Sequence, residues 1–293
     1  TASMKITQVE FVHINPRLAA RNADQPVRFK DIDTQTVIRV RTDNGLVGNC
    51  DQRGHVGLGE AQVAAMVGRN PVDFLHAPLP FGLTGALYDV VGQYLEVPVY
   101  KLMGTKVRDR VPVAAWTRPA SPEDFGREIQ RAAAEGYMTF KMHTCEHYDV
   151  LEQIQAAQDA APAGFRVHFD FNHNRTQDAV LRLVQRLEQF PVMGVLEDPV
   201  DWRDLEGWRL LRPKTFLPVL MHVPQLGGGP EILHGCADLY MIGEFGIDMA
   251  IRRAFICAEM GVSTVIQMTG GTLSKALAMH LGAIAPNLSH STN

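Results

Sequence analysis

The stretch RVHFDFNHNRTQDAVLRLVQRLEQFPVMGVLEDP, residues 166–199, predicts a strand, a helix and a second strand. Two short apolar runs, 166–170 and 193–197, have the length of buried strands, and the segment 176–189 between them has apolar residues at helical spacing. Such a connection joins parallel strands, because the helix carries the chain back to the starting edge of the sheet. This unit therefore predicts a parallel α/β sheet.

The same alternation continues in both directions from this unit. The apolar runs lie at 111–115, 139–143, 166–170, 193–197, 217–221, 239–242 and 263–267, and an eighth begins near Leu288. Seven or eight such units in series favour a closed barrel over an open sheet. No Gly-x-Gly-x-x-Gly follows any run, which disfavours a dinucleotide-binding fold. We predict an α/β fold with a modified (β/α) TIM-type barrel over residues 109–293.

The first hundred residues have a different pattern. Alternating apolar and polar residues predict strands over 6–14 and 36–41, and Asn44-Gly45 predicts a hairpin turn because it tolerates positive φ angles. The apolar spacing of 83–95 predicts a buried helix. We therefore expect residues 4–108 to form an α+β unit ahead of the barrel.

The composition narrows the class of protein. The chain has 28 Lys plus Arg, 32 Asp plus Glu, a net charge of −4 and 46% hydrophobic residues, which is typical of a globular domain. No basic stripe is present, so we expect no nucleic-acid partner, and no 18-residue apolar run predicts a membrane span. Four widely spaced cysteines without a C-x-x-C pattern indicate free thiols and a cytoplasmic location.

The candidate site follows from where barrel strands end, since active sites of such barrels lie at the C-terminal ends of the strands. Alternation places Lys141 and His143 on one strand face and Asp170 and Asn172 on the next. Carboxylate oxygens of Asp170 and Glu197 would suit Mg²⁺, and an imidazole can remove a proton. The alternative is that each is a solvated polar residue at a strand end.

Several segments carry a resemblance to a known family. They are TDNGLVGNCD (42–51), ALYDVVGQYLEVPVYKLMG (86–104), KVRDRVPV (106–113), Asp-x-Asn (170–172), Glu-Asp-Pro (197–199) and GTLSKALAMHLGAIAPN (271–287). Together they resemble the mandelate racemase and muconate lactonizing group of the enolase superfamily over nearly the whole chain.

The resemblance implies that an N-terminal capping domain covers the barrel and that the reaction abstracts the proton α to a carboxylate. Mg²⁺ would stabilise the resulting enediolate, with Asp170 and Glu197 as two of its ligands. Lys141 would neutralise the substrate carboxylate, and His143 would be the base. The resemblance also implies a small-molecule carboxylate as partner, a homo-oligomer, and a C-terminal return to the cap that we expect to be absent from this chain.

Departures from the family pattern shape the expected chemistry. Val223 stands where a third carboxylate ligand belongs, and the adjacent His222 is the candidate replacement. Gly243 and Gln267 stand where an Asp–His pair belongs, so a base on the second face is missing. Racemisation is therefore disfavoured, one-base dehydration by His143 is favoured, and Mg²⁺ binding is expected to be weak or substrate-dependent.

Substrate-binding residues are expected in the cap loops and at the barrel mouth. The resemblance places Arg17, Arg28, Arg53 and His55 in loops over the mouth, where arginines would suit an acid sugar or a diacid. The alternative is a solvated basic surface. Asn172 and Gln267 are the barrel residues predicted to bind substrate.

The resemblance thus implies a lyase similar to acid-sugar dehydratases, or an isomerase. A second hypothesis is a degenerate, non-catalytic family member that binds a small acid or a protein partner. A third is a metal-free barrel enzyme that uses His143 and Lys141. The turn at 269–272 is predicted either to bind a substrate carboxylate through its amides or to be an ordinary helix start.

Overall fold

The computed structural model describes residues 4–17, 34–224 and 228–292. The strands are β1 (Ile6–Ile14), β2 (Gln35–Thr42), β3 (Val47–Arg53), β4 (Ala115–Thr117), β5 (Thr139–His143), β6 (Arg166–Asp170), β7 (Met193–Glu197), β8 (Val219–Met221), β9 (Leu239–Gly243), β10 (Ser263–Gln267) and β11 (Leu288–Ser291). The helices are α1 (Glu60–Ala64), α2 (Phe81–Leu95), α3 (Tyr100–Met103), α4 (Pro122–Ala134), α5 (Val150–Ala160), α6 (Gln177–Leu187), α7 (Leu205–Leu211), α8 (Gly229–Leu233), α9 (Ile247–Glu259) and α10 (Thr272–Ile284), with 3₁₀ turns at Pro71–Phe74 and Arg212–Lys214.

The N-terminal strands form a three-stranded antiparallel sheet in the order β1-β2-β3. The predicted hairpin is confirmed: Gly45 has a φ of 84°, and the Thr42 amide donates to the Leu46 carbonyl at 3.1 Å. The helix α2 packs very closely on β3, since a Cβ on Gly48 would lie 2.0 Å from the Ala86 carbonyl oxygen. Glycine is therefore required there by the approach of two backbones.

The strands β4 to β11 form one parallel eight-stranded sheet in chain order. A parallel bridge between Val113 and Ser291 joins its two ends. The predicted TIM-like α/β fold is thus confirmed. The first strand lies later than the predicted 111–115, because Pro112 has no N–H to donate; its carbonyl accepts from Ser291 at 2.8 Å.

The helix α6 illustrates how the sequence sets the start and the buried face of a barrel helix. The Thr176 hydroxyl accepts from the Ala179 amide and caps the first turn. Val180, Val184 and Leu187 recur at helical spacing and are buried against the strands. In the described part of the chain, no helix has the length and apolarity needed to cross a membrane.

The barrel interior has an apolar layer beneath a polar one. The apolar side chains that cluster there are Val195, Leu220, Leu239, Met241 and Val265. Glu197 lies two residues beyond Val195, so it points to the same side of β7 and lies above this layer. The polar side chains of the candidate site therefore rest on a packed, water-excluding floor.

One carboxylate joins the N-terminal sheet to the barrel. Asp51, near the end of β3, accepts from the amides of Gly271, Ser274 and Leu273 at 2.8, 3.0 and 3.1 Å. These are orphan donors at the start of α10. A negative charge there also interacts favourably with the positive end of the helix dipole. The predicted division at residues 108 and 109 stays a prediction.

Candidate active site

Lys141 lies at the centre of the polar layer and is completely buried. Its Nζ is 2.7 Å from Glu197 Oε2 and 3.2 Å from Asp170 Oδ2, and it donates to Gln267 Oε1 at 2.9 Å. Burial alone would lower the pKa of Lys141, but the two carboxylates outweigh burial and raise this pKa above its ordinary value. Lys141 is therefore a fixed ammonium that holds four strands together.

His143 pairs with Asp170 at the end of the neighbouring strand. Their Nε2 and Oδ2 atoms are 3.0 Å apart, and the ring lies edge-on to Trp116 with centroids 6.0 Å apart. Burial and Glu197 would raise the pKa of Asp170, but Lys141 and His143 lower it overall. Asp170 is thus ionised, so Nε2 of His143 carries the hydrogen between them.

Glu197, on β7, is fully buried among cationic and imidazole groups. Its Oε2 lies 2.6 Å from His168 Nε2 in addition to the Lys141 contact, and its Oε1 is 3.1 Å from His222 Nδ1. Burial would raise the pKa of Glu197, but these neighbours hold it well below its usual range. Among the described residues, Oε1 has a close neighbour but no well-aligned hydrogen-bond donor.

His222 points into the barrel mouth rather than toward the helices. Strand β8 ends at Met221, so the alternation that would turn His222 outward no longer applies. Its Nε2 contacts Glu244 Oε2 at 3.0 Å, opposite the Glu197 contact. Burial opposes protonation, but the two carboxylates raise the pKa of His222 to about 10.

Glu244 is a site residue that the strand pattern did not predict. The sequence places Gly243 inward, and a φ of 120° at Gly243 ends β9 and turns the chain so that Glu244 reaches the mouth. Its Oε1 accepts from Thr269 at 2.8 Å and from Gln267 at 3.2 Å. Burial would raise its pKa, but His222 and these donors lower it to about 2.

Asp198 is a second residue that the sequence did not single out. It has a φ of 45°, and this turn brings its Oδ1 to the His222 amide at 2.9 Å and its Oδ2 to His173 Nε2 at 2.9 Å. Burial, Glu197 and Asp170 raise its pKa despite the His173 contact. The Glu-Asp-Pro motif contained the signal, since two consecutive acids follow a buried strand.

The donor atoms of Glu197, Asp198 and His222 lie within 4.8 Å of one another and could hold a metal ion. Two of the three predicted ligands belong to this group, with Asp198 in the place of Asp170, which pairs with Lys141 and His143 instead. Carboxylates suit Mg²⁺ and an imidazole suits transition metals as well. The poorly satisfied Oε1 of Glu197 also fits a cation at this group.

The predicted substrate-binding residues are dispersed. Gln267 lies in the mouth beside Lys141. Asn172 is exposed at the rim, and its backbone N–H donates to Asp170 Oδ1 at 2.9 Å. The Arg53 amide donates to Thr269 at 2.7 Å, which places the exposed Arg53 next to the mouth. These assignments stay predictions.

The remaining predicted residues lie in the N-terminal region. His55 is exposed and pairs with His13, their ring nitrogens 3.3 Å apart, and Arg17 is exposed beyond the end of β1. Arg28 lies outside the described residues. The turn at 269–272 is a helix start capped from within the chain: Asp51 accepts the amides of Gly271, Leu273 and Ser274, so the interpretation as a substrate-carboxylate site was wrong.

Comparisons with known proteins identify the relatives of this chain. The Enolase C-terminal domain-like family matches residues 124–225, and D-galactonate dehydratase of Verminephrobacter eiseniae is 27% identical over 74% of the chain and 60% of that protein. The chain is a mandelate racemase/muconate lactonizing enzyme-like member of the enolase superfamily. D-galactonate dehydratase of Ralstonia nicotianae is 31% identical to this superfamily member over 70% of the chain and 58% of the relative. The chain spans 38% to 60% of the length of such curated relatives.

Solved structures share the fold of this superfamily member. Mandelate racemase/muconate lactonizing enzyme from Sulfitobacter matches with a TM-score of 0.78 and 18% identity over 99% of this chain and 85% of that one. Dipeptide epimerase from Enterococcus faecalis, in a complex with Mg and L-Leu-L-Tyr, matches with a TM-score of 0.80 and 19% identity over 99% and 90%. These matches support the cap-and-barrel architecture.

Proposed function

We propose that the protein dehydrates a hydroxy acid of the acid-sugar class by removing the proton α to its carboxylate. The observation that carries this proposal is the convergence of Lys141, His143, Asp170 and Glu197 above the barrel floor. A fixed ammonium and an imidazole lie together where a carbon acid needs a charge partner and a base. The relatives named D-galactonate dehydratase support the choice of an acid sugar.

His143 would act as the base through its Nδ1. Because Nε2–H is directed at Asp170, the basic lone pair of the neutral ring is on Nδ1, and Asp170 stabilises the imidazolium that forms. The α C–H bond breaks, its proton goes to His143, and its electron pair forms the C=C bond of an enediolate. Lys141 supplies positive charge beside the substrate carboxylate throughout.

The same imidazolium can complete the dehydration. It donates its proton to the β-hydroxyl as the C–O bond breaks, so water leaves and His143 returns to its neutral form. The resulting enol tautomerises to a 2-keto acid. One base therefore suffices when the proton and the hydroxyl leave from the same face.

A divalent cation would be held by Glu197, Asp198 and His222. When bound, it supplies additional positive charge for the substrate's carboxylate oxygens. His222 would have to lose its proton to act as a ligand, although two carboxylates favour the protonated form. This competition supports weak or substrate-dependent Mg²⁺ binding.

The opposite wall of the site supports one-base chemistry over racemisation. Gln267 occupies that wall, where its oxygen accepts from Lys141 and its amide donates to Glu244. A carboxamide is neither an effective acid nor an effective base near neutral pH. Gln267 therefore cannot deliver a proton to the second face of a substrate, whereas dehydration on the His143 face does not need such a step.

The test is a screen of acid sugars for 2-keto product with and without Mg²⁺. Wild-type protein, His143→Gln and His147→Ala are compared, since His147 is an exposed histidine on the loop after β5. We expect product with wild type and His147→Ala, and a loss of at least about a hundredfold with His143→Gln. α-Proton exchange in D₂O, followed by NMR, reports the first step separately.

The outcome that rejects the proposal is clear-cut. A folded wild-type protein that gives neither product nor exchange across the screen is not this dehydratase. Product that survives unchanged in His143→Gln would reject the assigned base.

A second candidate function is acid binding without catalysis. The residues Val223, Gly243 and Gln267 support it, because they stand where the family pattern has a third carboxylate ligand and an Asp–His pair. Calorimetry with the same acids distinguishes the two: micromolar binding without turnover supports the binding protein.

A further inference from the structure

A line of hydrogen bonds crosses the barrel interior beneath the candidate site. Ser289 Oγ lies 3.0 Å from His290 Nδ1, His290 Nε2 lies 3.0 Å from His168 Nδ1, and His168 Nε2 lies 2.6 Å from Glu197 Oε2. Both histidines are buried, at 4% and 0% exposure. The reaction proposed above uses neither imidazole, so their role requires another explanation.

The direction of every hydrogen bond in this line follows from its last acceptor. Glu197 is flanked by the Lys141 ammonium and is a carboxylate, so His168 must donate from Nε2. A neutral His168 then accepts at Nδ1, which requires His290 to donate from Nε2 and to accept at Nδ1 from the Ser289 hydroxyl. Burial lowers the pKa of both imidazoles, to about 3 for His290, in agreement with neutral rings.

We propose that His290 is a positioning residue that acts through His168 to fix Glu197 Oε2, so that Oε1 is presented to the cation group with Asp198 and His222. Two donors, His168 and Lys141, hold Oε2, and a carboxylate held at one oxygen cannot rotate to exchange its oxygens. The unaligned oxygen is therefore always Oε1, on the side of His222.

His290 matters because His168 alone would not be held in place. Without a donor at Nδ1, the buried His168 ring would keep one unsatisfied acceptor, and ring rotation or water entry would relieve it. Either change loosens the 2.6 Å contact with Glu197. Partners in such an outer layer commonly change metal affinity by about ten- to a hundredfold when removed.

The first experiment measures the tautomers directly. Two-bond ¹H–¹⁵N correlation spectra of the histidine rings are recorded at pH 7, with His168→Gln and His290→Gln used to assign the two signals. We expect both rings to be neutral with the hydrogen on Nε2. A hydrogen on Nδ1 of either ring, or an imidazolium at either position, overturns the proposal.

The second experiment measures Mg²⁺ affinity by calorimetry in three variants that remain folded by near-UV circular dichroism. His290→Leu removes the donor, His290→Gln keeps an N–H that can reach His168, and His234→Ala removes an exposed histidine as control. We expect affinity to fall about ten- to a hundredfold in His290→Leu and to change less than about threefold in the other two. Equal losses in the Leu and Gln variants, or no loss in either, overturn the positioning role.

This inference rests on the cation group of the proposed function, and the two fail separately. Wild-type protein that binds no Mg²⁺ but has both Nε2–H tautomers refutes that cation group and supports the directed hydrogen-bond line. Normal Mg²⁺ binding with the opposite tautomers refutes the line and supports the cation group.

Discussion

Replacement of Asp51 tests how strongly the N-terminal sheet is held to the barrel. Asp51→Ala removes the acceptor of three helix-start amides at 2.8, 3.0 and 3.1 Å. Hydrogen bonds to a charged group contribute about 1.5–3 kcal/mol each, and water replaces part of this after mutation. A lost helix cap alone costs about 1–2 kcal/mol. We therefore expect Asp51→Ala to lower the free energy of unfolding by roughly 4 kcal/mol.

Urea unfolding followed by circular dichroism measures this loss. Asp51→Asn keeps one oxygen but loses the charge, so about half of the effect is expected. Asp43→Asn is the matched control, because Asp43 accepts one exposed amide, from Lys5 at 2.9 Å, and should cost less than about 1 kcal/mol. A loss below about 1 kcal/mol in Asp51→Ala, at unchanged m-value, would refute this account of the contact.

Other predictions concern charge and packing. Lys141→Met leaves two buried carboxylates without their ammonium and should cost about 3–5 kcal/mol in urea unfolding; a loss under about 1 kcal/mol contradicts it. Burial lowers the pKa of Lys275 from 10.5 to about 8, so the unfolded chain binds more protons between these values. Stability should rise between pH 8 and 10.5, by up to about 3 kcal/mol, and Lys275→Met should flatten that rise in melting curves. Gly48→Ala should cost at least about 2 kcal/mol in thermal unfolding because the added methyl meets the Ala86 carbonyl, whereas Gly57→Ala meets nothing within 4 Å and should be neutral.

The regular part of the fold could be predicted because local and global preferences agree there. The 166–199 unit has strand and helix periods in sequence, and the structure has β6, α6 and β7 at those positions. The hairpin at Asn44-Gly45 was equally specific, since its turn needs a positive φ. The first barrel strand was misplaced because its prediction used apolar content alone and gave no weight to Pro112, which has no N–H to donate.

The candidate site was harder because its residues lie just past the strand ends. Alternation placed Lys141, His143 and Asp170 together, and the structure has them in direct contact. It could not place Glu244 or Asp198. Glu244 follows Gly243, which has a positive φ at the end of its strand, and Asp198 itself has a positive φ just after its strand. Side-chain direction beyond a strand depends on such turns, which pattern periodicity does not encode.

The contact between the two ends of the barrel sheet has a mechanical consequence. The strands β5 and β6 pair over five residues, but Val113 and Ser291 meet through an isolated bridge. We therefore expect the wall to separate more readily at this seam than at a longer ladder such as that between β5 and β6. Because β4 is the neighbour of β5, this seam lies one strand away from Lys141, and we expect faster amide hydrogen exchange along β4 and β11 than along β5 and β6.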